Sequence, residues 1–385
     1  MEEPVYGPLR RSALTSTLSG ARVLVVGASG CIGGRLVERL VLECGAQVRV
    51  LVRRTASADS IARLPIEVMV GDVLDPQAVT TSALGCAVVF NCARNREPDS
   101  MLRRAVDVDG AGHVVDAARR AGARVVHVSS VRVYDRPSEG VLDESTAAAP
   151  KGEDPSSDDK LEGEQIVLAR GAQHGVPVVV IQPPIVYGPN AHYTLEMLND
   201  LRTGRVMLVN GGVGICNLVY VDDAVSALLL AATNDRAHGE RFLISGPEHP
   251  TWAEFVGAFE AMLGVHRTVS LSERDALCLW QRSSGLRERL LAAGEAVMGA
   301  LRASVSAEDR SDDELPIKAL SPWVVKNRAR EARVSIEKAR RILGYTPVFT
   351  LSHGMALTQQ WAQSVGLIRR GPLCQWPASR HRAIS

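Results

Sequence analysis

Gly27-Ala28-Ser29-Gly30-Cys31-Ile32-Gly33 is the stretch of this chain with the plainest chemistry. It follows an apolar run, Arg22-Val23-Leu24-Val25-Val26, and opens a helical pattern through Ile32, Leu36, Leu40 and Val41. Glycines spaced this way after a strand let backbone N–H groups approach a pyrophosphate at the positive end of a helix. Gly27, Ser29, Gly30, Cys31, Ile32 and Gly33 are therefore expected to hold a dinucleotide. Such glycines also serve plain tight turns, and the strand–turn–helix setting is what favours the dinucleotide. The next apolar run ends in Leu51-Val52-Arg53-Arg54. An acidic residue there would bind a ribose 2′-hydroxyl; Arg53 and Arg54 instead favour a 2′-phosphate, and hence NADP(H) over NAD(H). The alternative is an ordinary solvated arginine pair.

The elements that must position these groups are legible as apolar runs. Strands are expected at 22–26, 47–52, 66–70, 87–91, 124–128 and 176–181, with helical stretches between, the clearest at 100–121 and 160–174. Alternating strands and helices predict a parallel sheet covered on both faces, a Rossmann-type doubly wound α/β fold. Near-continuous Val/Leu/Ile runs fit strands buried on both sides. The expected layout is a tail over 1–20, a nucleotide-binding domain over 21–187 to which 217–245 returns, and a smaller C-terminal substrate-binding lobe over 188–365. A further tail covers 366–385. Within the lobe, Ser272-Glu273-Arg274-Asp275 has the pattern of a helix start, and Leu286, Leu290, Ala293, Val297 and Leu301 recur at helical spacing. Ser283-Ser284-Gly285 is expected to break the segment 272–306 into an inserted hairpin of two helices, either packing on the core or forming a lid over the substrate.

Composition excludes several function classes. The 385 residues carry a net charge of +1. With no basic tract or basic–aromatic run, nucleic acid is not an expected partner. No apolar run reaches the length of a membrane span, and 1–20 lacks the apolar stretch of a secretory signal. Seven cysteines show neither a Cys-x-x-Cys pair nor zinc spacing, so no metal is expected and a reducing, cytoplasmic setting is. Five lysines stand among 44 basic residues, so chance would seldom place one at position 160.

Further motifs give the chain a resemblance. Ser129-Ser130-Val131-Arg132-Val133-Tyr134, Gln182-Pro183-Pro184-Ile185-Val186-Tyr187-Gly188-Pro189, Val219-Tyr220-Val221-Asp222-Asp223 and Leu343-Gly344-Tyr345-Thr346-Pro347 resemble segments of the extended short-chain dehydrogenase/reductase family. The likeness covers about 20–362, apart from the insertion. It implies that Asp72 and Val73 of Gly71-Asp72-Val73 lie by the adenine and that Pro183 and Ile185 lie near the nicotinamide; Asp72 could equally cap the next turn. It also implies a catalytic set of Ser, Tyr, Lys and often Asn. Ser130 matches the serine and Lys160 the lysine, which would grip the nicotinamide ribose. Ser156 stands at the tyrosine position, and Asp107 of Val106-Asp107-Val108-Asp109-Gly110-Ala111 stands at the asparagine position.

Hydride transfer to a ketone leaves an alkoxide that needs a proton or electrostatic relief. An aliphatic hydroxyl is a far weaker acid than a phenol, so Ser156 is not expected to act as acid or base. Tyr134, Tyr187, Tyr193 and Tyr220 are the other candidate phenols, Tyr134 and Tyr187 more in keeping with packing roles. A substrate carrying its own phenol beside the ketone would remove the need for one. In this the chain resembles atypical ketoreductases of aromatic polyketide antibiotic pathways, which implies NADPH-dependent reduction of an angucyclinone-type ketone by a monomer or homodimer. Two other readings stay open: an NADP(H)-binding regulator or scaffold without activity, and a nucleotide-sugar epimerase or dehydratase.

Overall fold

A computed structural model describes residues 17–94, 99–149, 152, 154–292 and 315–369. Seven parallel strands form the central sheet. They are β1 (Arg22–Val26), β2 (Gln47–Val52), β3 (Glu67–Val70), β4 (Val88–Asn91), β5 (Arg124–Val128), β7 (Val178–Gln182) and β11 (Glu240–Leu243), in the order β11-β7-β5-β4-β1-β2-β3. The short strand β6 (Val141–Leu142) pairs outside this sheet with β13 (Arg333–Val334). β11 is a seventh strand absent from the six apolar runs: only Phe242 and Leu243 of Glu-Arg-Phe-Leu are buried, so its sequence is that of an edge. The order reverses between β1 and β4. In open parallel sheets such a switch point leaves a crevice at the carboxyl ends of the strands, where ligands bind.

Helices α1 (Cys31–Leu42) and α6 (Val221–Thr233) pack together, and their buried Leu36, Val37, Leu40, Val225 and Leu228 share one cluster on one sheet face. Arg35 reaches from α1 to Asp222 at 2.7 Å, and Arg39 donates to the Asp222 carbonyl at 2.8 Å. The opposite face is covered by α2 (Pro76–Ala83), α3 (100–121) and α4 (Pro155–His174), with Val79, Val114, Val115 and Val167 buried there.

Helix α3 corresponds to the single helical stretch expected over 100–121, but it is not regular. Ser100–Arg104 and Gly110–Ala121 are α-helical, and Ala105–Asp109 between them is a π turn. One widened turn rotates Asp107 and Val108 inward, and both are buried. Helix α4 comes close at this point. A Cβ on Gly163 would collide with the carbonyl oxygen of Asp107.

The lobe gathers β8 (Ile185–Tyr187), α5 (His192–Thr203), β9 (Val206–Val209), β10 (Leu218–Tyr220), α7 (Trp252–Leu263), β12 (Thr268–Leu271), α8 (Glu273–Ala292), α9 (Pro322–Ala329) and α11 (Leu351–Ser364). Helix α10 (Glu337–Leu343), expected in the lobe, packs instead against α6 and β11, with Ala339 and Leu343 in the core cluster of the sheet. Tyr187, Tyr220, Trp252, Phe255 and Phe259 are buried in one aromatic-rich cluster there. The expected break at Ser283-Ser284-Gly285 is not found: α8 runs through it. A single glycine costs a helix interior only about 1 kcal/mol, too little to end a 20-residue helix. The rest of the expected hairpin, 293–306, lies outside the described residues. Both expected tails are shorter than drawn, because Leu18 and Ile368 are buried in hydrophobic clusters; 1–16 and 370–385 lie outside the described residues.

Two predictions follow from this packing. Gly163→Ala is expected to destabilise the protein by about 1–3 kcal/mol, as overpacking does. Gly257→Ala, in α7 with open space around its Cα, is expected to stabilise it by about 0.5–1 kcal/mol. Thermal melts of the two variants should shift in opposite directions. The second concerns Asp223, whose carboxylate accepts N–H bonds from Val348 (3.0 Å) and Phe349 (3.0 Å). Burial pushes this carboxyl up to about 6 against those bonds. An acid raised above its unfolded value of about 3.9 binds protons preferentially in the folded state. Its contribution is full below about pH 4 and is lost as pH rises through about 6, at most about 3 kcal/mol. Urea unfolding at pH 4.5 and 7 should show this component, and Asp223→Asn should flatten it.

Candidate active site

The glycine turn expected to hold the cofactor links β1 to α1. Gly27 has φ +81°, and a Cβ there would strike the backbone of Cys92 beyond β4. A Cβ on Gly33 would strike the Gly27 carbonyl. The turn therefore needs glycine at both positions. Gly30 precedes α1 and gives no side-chain cap, which leaves the first-turn N–H groups of α1 directed at the crevice. Ser29 and Gly30 are exposed, while Cys31 and Ile32 are half-buried; Cys31 Sγ donates to the Pro189 carbonyl at 3.4 Å and so links the turn to the lobe. Arg53 and Arg54 are exposed just after β2. Asp72 does cap its turn, its Oδ1 accepting the Leu74 N–H at 3.0 Å. Val73 is buried beneath it against Gly110. The open helix N-terminus and the glycine cradle fit a dinucleotide pyrophosphate.

At the carboxyl ends of β4 and β5 the second half of the site is assembled. Ser130 follows β5 in extended backbone and starts a 3₁₀ turn, Val131–Val133, with its Oγ accepting the Arg132 N–H at 3.3 Å. Pro183 is buried, and its carbonyl accepts the Val131 N–H at 3.1 Å, so the serine loop and the Pro183–Ile185 segment are tied to each other. Lys160 lies in the second turn of α4, nearly buried, and its Nζ sits 2.9 Å from Oδ1 of Asp107. Oδ2 of Asp107 has no hydrogen-bond partner among the described residues.

Two ionisable groups that feel Lys160, His127 and Cys92, are driven to their uncharged forms. Burial, and then the charge of Lys160, lower the His127 imidazole to about 3. Burial pushes the Cys92 thiol up to about 12, against the pull of Lys160. Asn91 Nδ2 lies 3.1 Å from His127 Nδ1, which closes the floor of the site.

The first turn of α4 holds no phenol. Ser156 is half-buried, and it is its neighbour Ser157 whose Oγ donates to Asp154. The same Asp154 pairs with Arg132, whose guanidinium carbon lies 4.4 Å from the ring centroid of Trp323 on α9. The other described tyrosines are occupied elsewhere. Tyr134 donates to Gln182 at 2.8 Å, and burial pushes it up to about 12. Tyr187 and Tyr220 are buried edge to face in the lobe cluster, Tyr187 donating to the Thr350 carbonyl. Tyr193 packs on Trp252 and Phe255, and burial raises it. Tyr345 donates to the Ser245 carbonyl. Sequence reasoning missed the Lys160–Asp107 contact, Arg132 and Asp154. Arg132 was visible only as a charge two residues after Ser130, and its partners lie at 154 and 323.

Comparison with known proteins agrees with this geometry. The NAD dependent epimerase/dehydratase family model matches residues 23–245. A 3-diazoavenalumate denitrifying reductase of Streptomyces sp is 31% identical over 227 residues, 56% of this chain and 73% of that protein. A 4-hydroxy-2-methyl-3-oxo-4-farnesyl-3,4-dihydroquinoline-1-oxide ketoreductase of Stigmatella aurantiaca is 28% identical over 349 residues, 88% of this chain and 96% of that one. Among solved structures, the dTDP-glucose 4,6-dehydratase DesIV of Streptomyces venezuelae, with NAD bound, aligns with a TM-score of 0.67 at 20% identity over 90% of this chain and 99% of that one. A UDP-glucuronic acid 4-epimerase of Bacillus cereus, also with NAD, gives 0.65 at 17% identity over 89% and 99%. A nicotinamide dinucleotide is thus supported as the cofactor and oxidoreductase chemistry as the general activity. With the match spanning more than half its length, the chain belongs to the NAD dependent epimerase/dehydratase family.

Proposed function

We propose that this chain is an NADP(H)-dependent ketoreductase acting on an aryl ketone of an angucyclinone-type aromatic polyketide, with the proton supplied by a phenol of the substrate. One observation carries the reading: among the described residues no tyrosine stands in the first turn of α4, and every described tyrosine is packed or hydrogen-bonded elsewhere. His127, which is buried, and Cys92, which is half-buried, both feel the charge of Lys160 and are held neutral. The relatives that are reductases of ring-bearing substrates, one of them named for a 3-oxo quinoline, support the same class.

When bound, the cofactor supplies a hydride to the carbonyl carbon. Gly27, Gly30 and Gly33 would receive its pyrophosphate, and Arg53 and Arg54 its 2′-phosphate. Lys160, fixed by Asp107, would hold the nicotinamide ribose. Pro183 and Ile185 would wall the nicotinamide, and Ser130 would donate to the substrate carbonyl. Ser156 takes no part. An epimerase or dehydratase reading meets the same missing phenol, because those reactions begin by taking a proton from a sugar hydroxyl.

NADPH oxidation with an ortho-hydroxyaryl ketone and with its phenol methyl ether tests this reading. The ether is expected to turn over at least about 100-fold more slowly, the usual scale of general acid catalysis. An undiminished rate sinks the substrate-proton step, and tight NADPH binding without turnover of any ketone favours the regulator. Lys160→Ala is expected to weaken NADPH binding, and Ser130→Ala to lower kcat while leaving it alone. Arg53→Ala is expected to raise the KM for NADPH roughly 10-fold with little change for NADH, the loss of about one charge-assisted bond.

A further inference from the structure

Lys160 is nearly buried in its pair with Asp107, so the charge that develops on the substrate needs a more exposed cation. A second cation stands beside the start of α4, whose first turn carries Ser156. Arg132 lies two residues beyond Ser130, and its backbone N–H bonds the Ser130 hydroxyl at 3.3 Å. Its guanidinium pairs with Asp154, the residue immediately before α4, whose first turn carries Ser156. One face of the guanidinium is stacked on Trp323 from the lobe, at 4.4 Å. About a third of the side chain remains exposed. Arg132 therefore bridges the serine loop, the first turn of α4 and the lobe. Those are the three walls between which a carbonyl bonded to Ser130 would sit. A planar cation held by Asp154 and Trp323 with about a third of its side chain exposed is suited to receive an oxyanion, because its position costs little further ordering when charge arrives.

We propose that Arg132 is a further catalytic residue, the cation that takes up the negative charge of the substrate during reduction; the proposal rests on the ketoreductase reading. As hydride reaches the carbonyl carbon, the C=O π pair becomes a lone pair on oxygen. That oxygen takes the proton of the neighbouring phenol and becomes a hydroxyl, and the phenol is left as a phenolate. The guanidinium pairs with this phenolate and transfers no proton itself. Water later returns the proton to the phenolate.

The test uses the full chain, Arg132→Met, Arg132→Lys and Asp154→Asn, and two readouts. The first is NADPH-dependent reduction of 2-acetyl-1-naphthol, a ketone beside a phenol. The second is binding of 1-hydroxy-2-naphthoate, a stable anion of similar shape, to the enzyme with NADP⁺ bound. For Arg132→Met, kcat is expected to fall roughly 100-fold, as on removal of an oxyanion donor. Naphthoate affinity should fall about 10-fold, near one charge-assisted hydrogen bond, while NADPH binding is unchanged. Arg132→Lys should be intermediate. Asp154→Asn keeps the guanidinium and removes its competing carboxylate, so it should bind naphthoate at least as tightly as wild type. A merely structural ion pair predicts that Asp154→Asn loses as much as Arg132→Met, and that result overturns the proposal. So does an Arg132→Met variant within twofold of wild type in both readouts. If wild type reduces no aryl ketone but naphthoate binding still depends on Arg132, the anion site stands and the ketoreductase reading fails. If neither is seen, both fail.

Discussion

The site is organised around one ion pair, Lys160 with Asp107, held 2.9 Å apart where both side chains are almost out of solvent. Pairs like this are costly to bury. Each ion forfeits several kcal/mol of hydration, and an attraction of about 4 kcal/mol at 4 Å and an effective dielectric of 20 repays no more than part of that. The pair therefore adds little to stability. Its effect is on position, since a lysine with four rotatable bonds is confined to one place beneath the crevice. The backbone is arranged to permit it. The π turn at Ala105–Asp109 rotates Asp107 inward, and Gly163 lets α4 close on the Asp107 carbonyl. Neither feature has a purpose in helix stability alone, because a π turn disrupts the regular hydrogen-bond ladder and a mid-helix glycine costs about 1 kcal/mol.

The same pair governs the electrostatics around it. His127 and Cys92 each lie close enough to feel Lys160, yet burial decides their state, and both are uncharged near neutral pH. An imidazole at about 3 carries no proton to give at pH 7, and a thiol at about 12 gives its proton up too reluctantly to assist an alkoxide. The floor of the site thus orients but does not exchange protons. On the proposed reading, chemistry comes from the open side, where Ser130 and Arg132 stand.

Much of this architecture could be read from the residues. Valine-rich runs gave the strands β1, β2, β4, β5 and β7 to within two residues, because strands buried on both faces leave little else for their side chains to be. The glycine turn was equally plain, since each glycine answers to a local steric demand. What escaped was nonlocal. β11 has only two buried positions, and partly exposed edges carry weak patterns. The π turn has no composition of its own; it arises from the fit of α3 on α4. Asp107 was visible as a departure at an asparagine position, but its pairing with Lys160 depends on that turn. Arg132 drew no attention because an arginine in a loop is ordinary until Asp154 and Trp323 are seen to hold it. The expected break at Ser283-Ser284-Gly285 failed for the opposite reason: a local signal worth about 1 kcal/mol was outweighed by the rest of α8.

Ser156 and Asp107 are then two sides of one electrostatic problem. In the arrangement implied by the family resemblance, the lysine stands beside a phenol and its charge favours the phenolate. With a serine at that position there is no acid for the lysine to assist. A buried ammonium left without a partner would pay its desolvation for nothing, and such uncompensated charges cost about 3–5 kcal/mol. A carboxylate at position 107 answers that charge directly. The lysine can then keep its ammonium and its position without an acidic neighbour, and its remaining task is to hold rather than to activate. An apolar side chain in place of Lys160 would be as stable or more so, so stability alone does not account for a buried, neutralised lysine under the glycine turn. The pair fits a cofactor held in place there, and on the proposed reading geometry and an exposed cation carry what a phenol would otherwise have done.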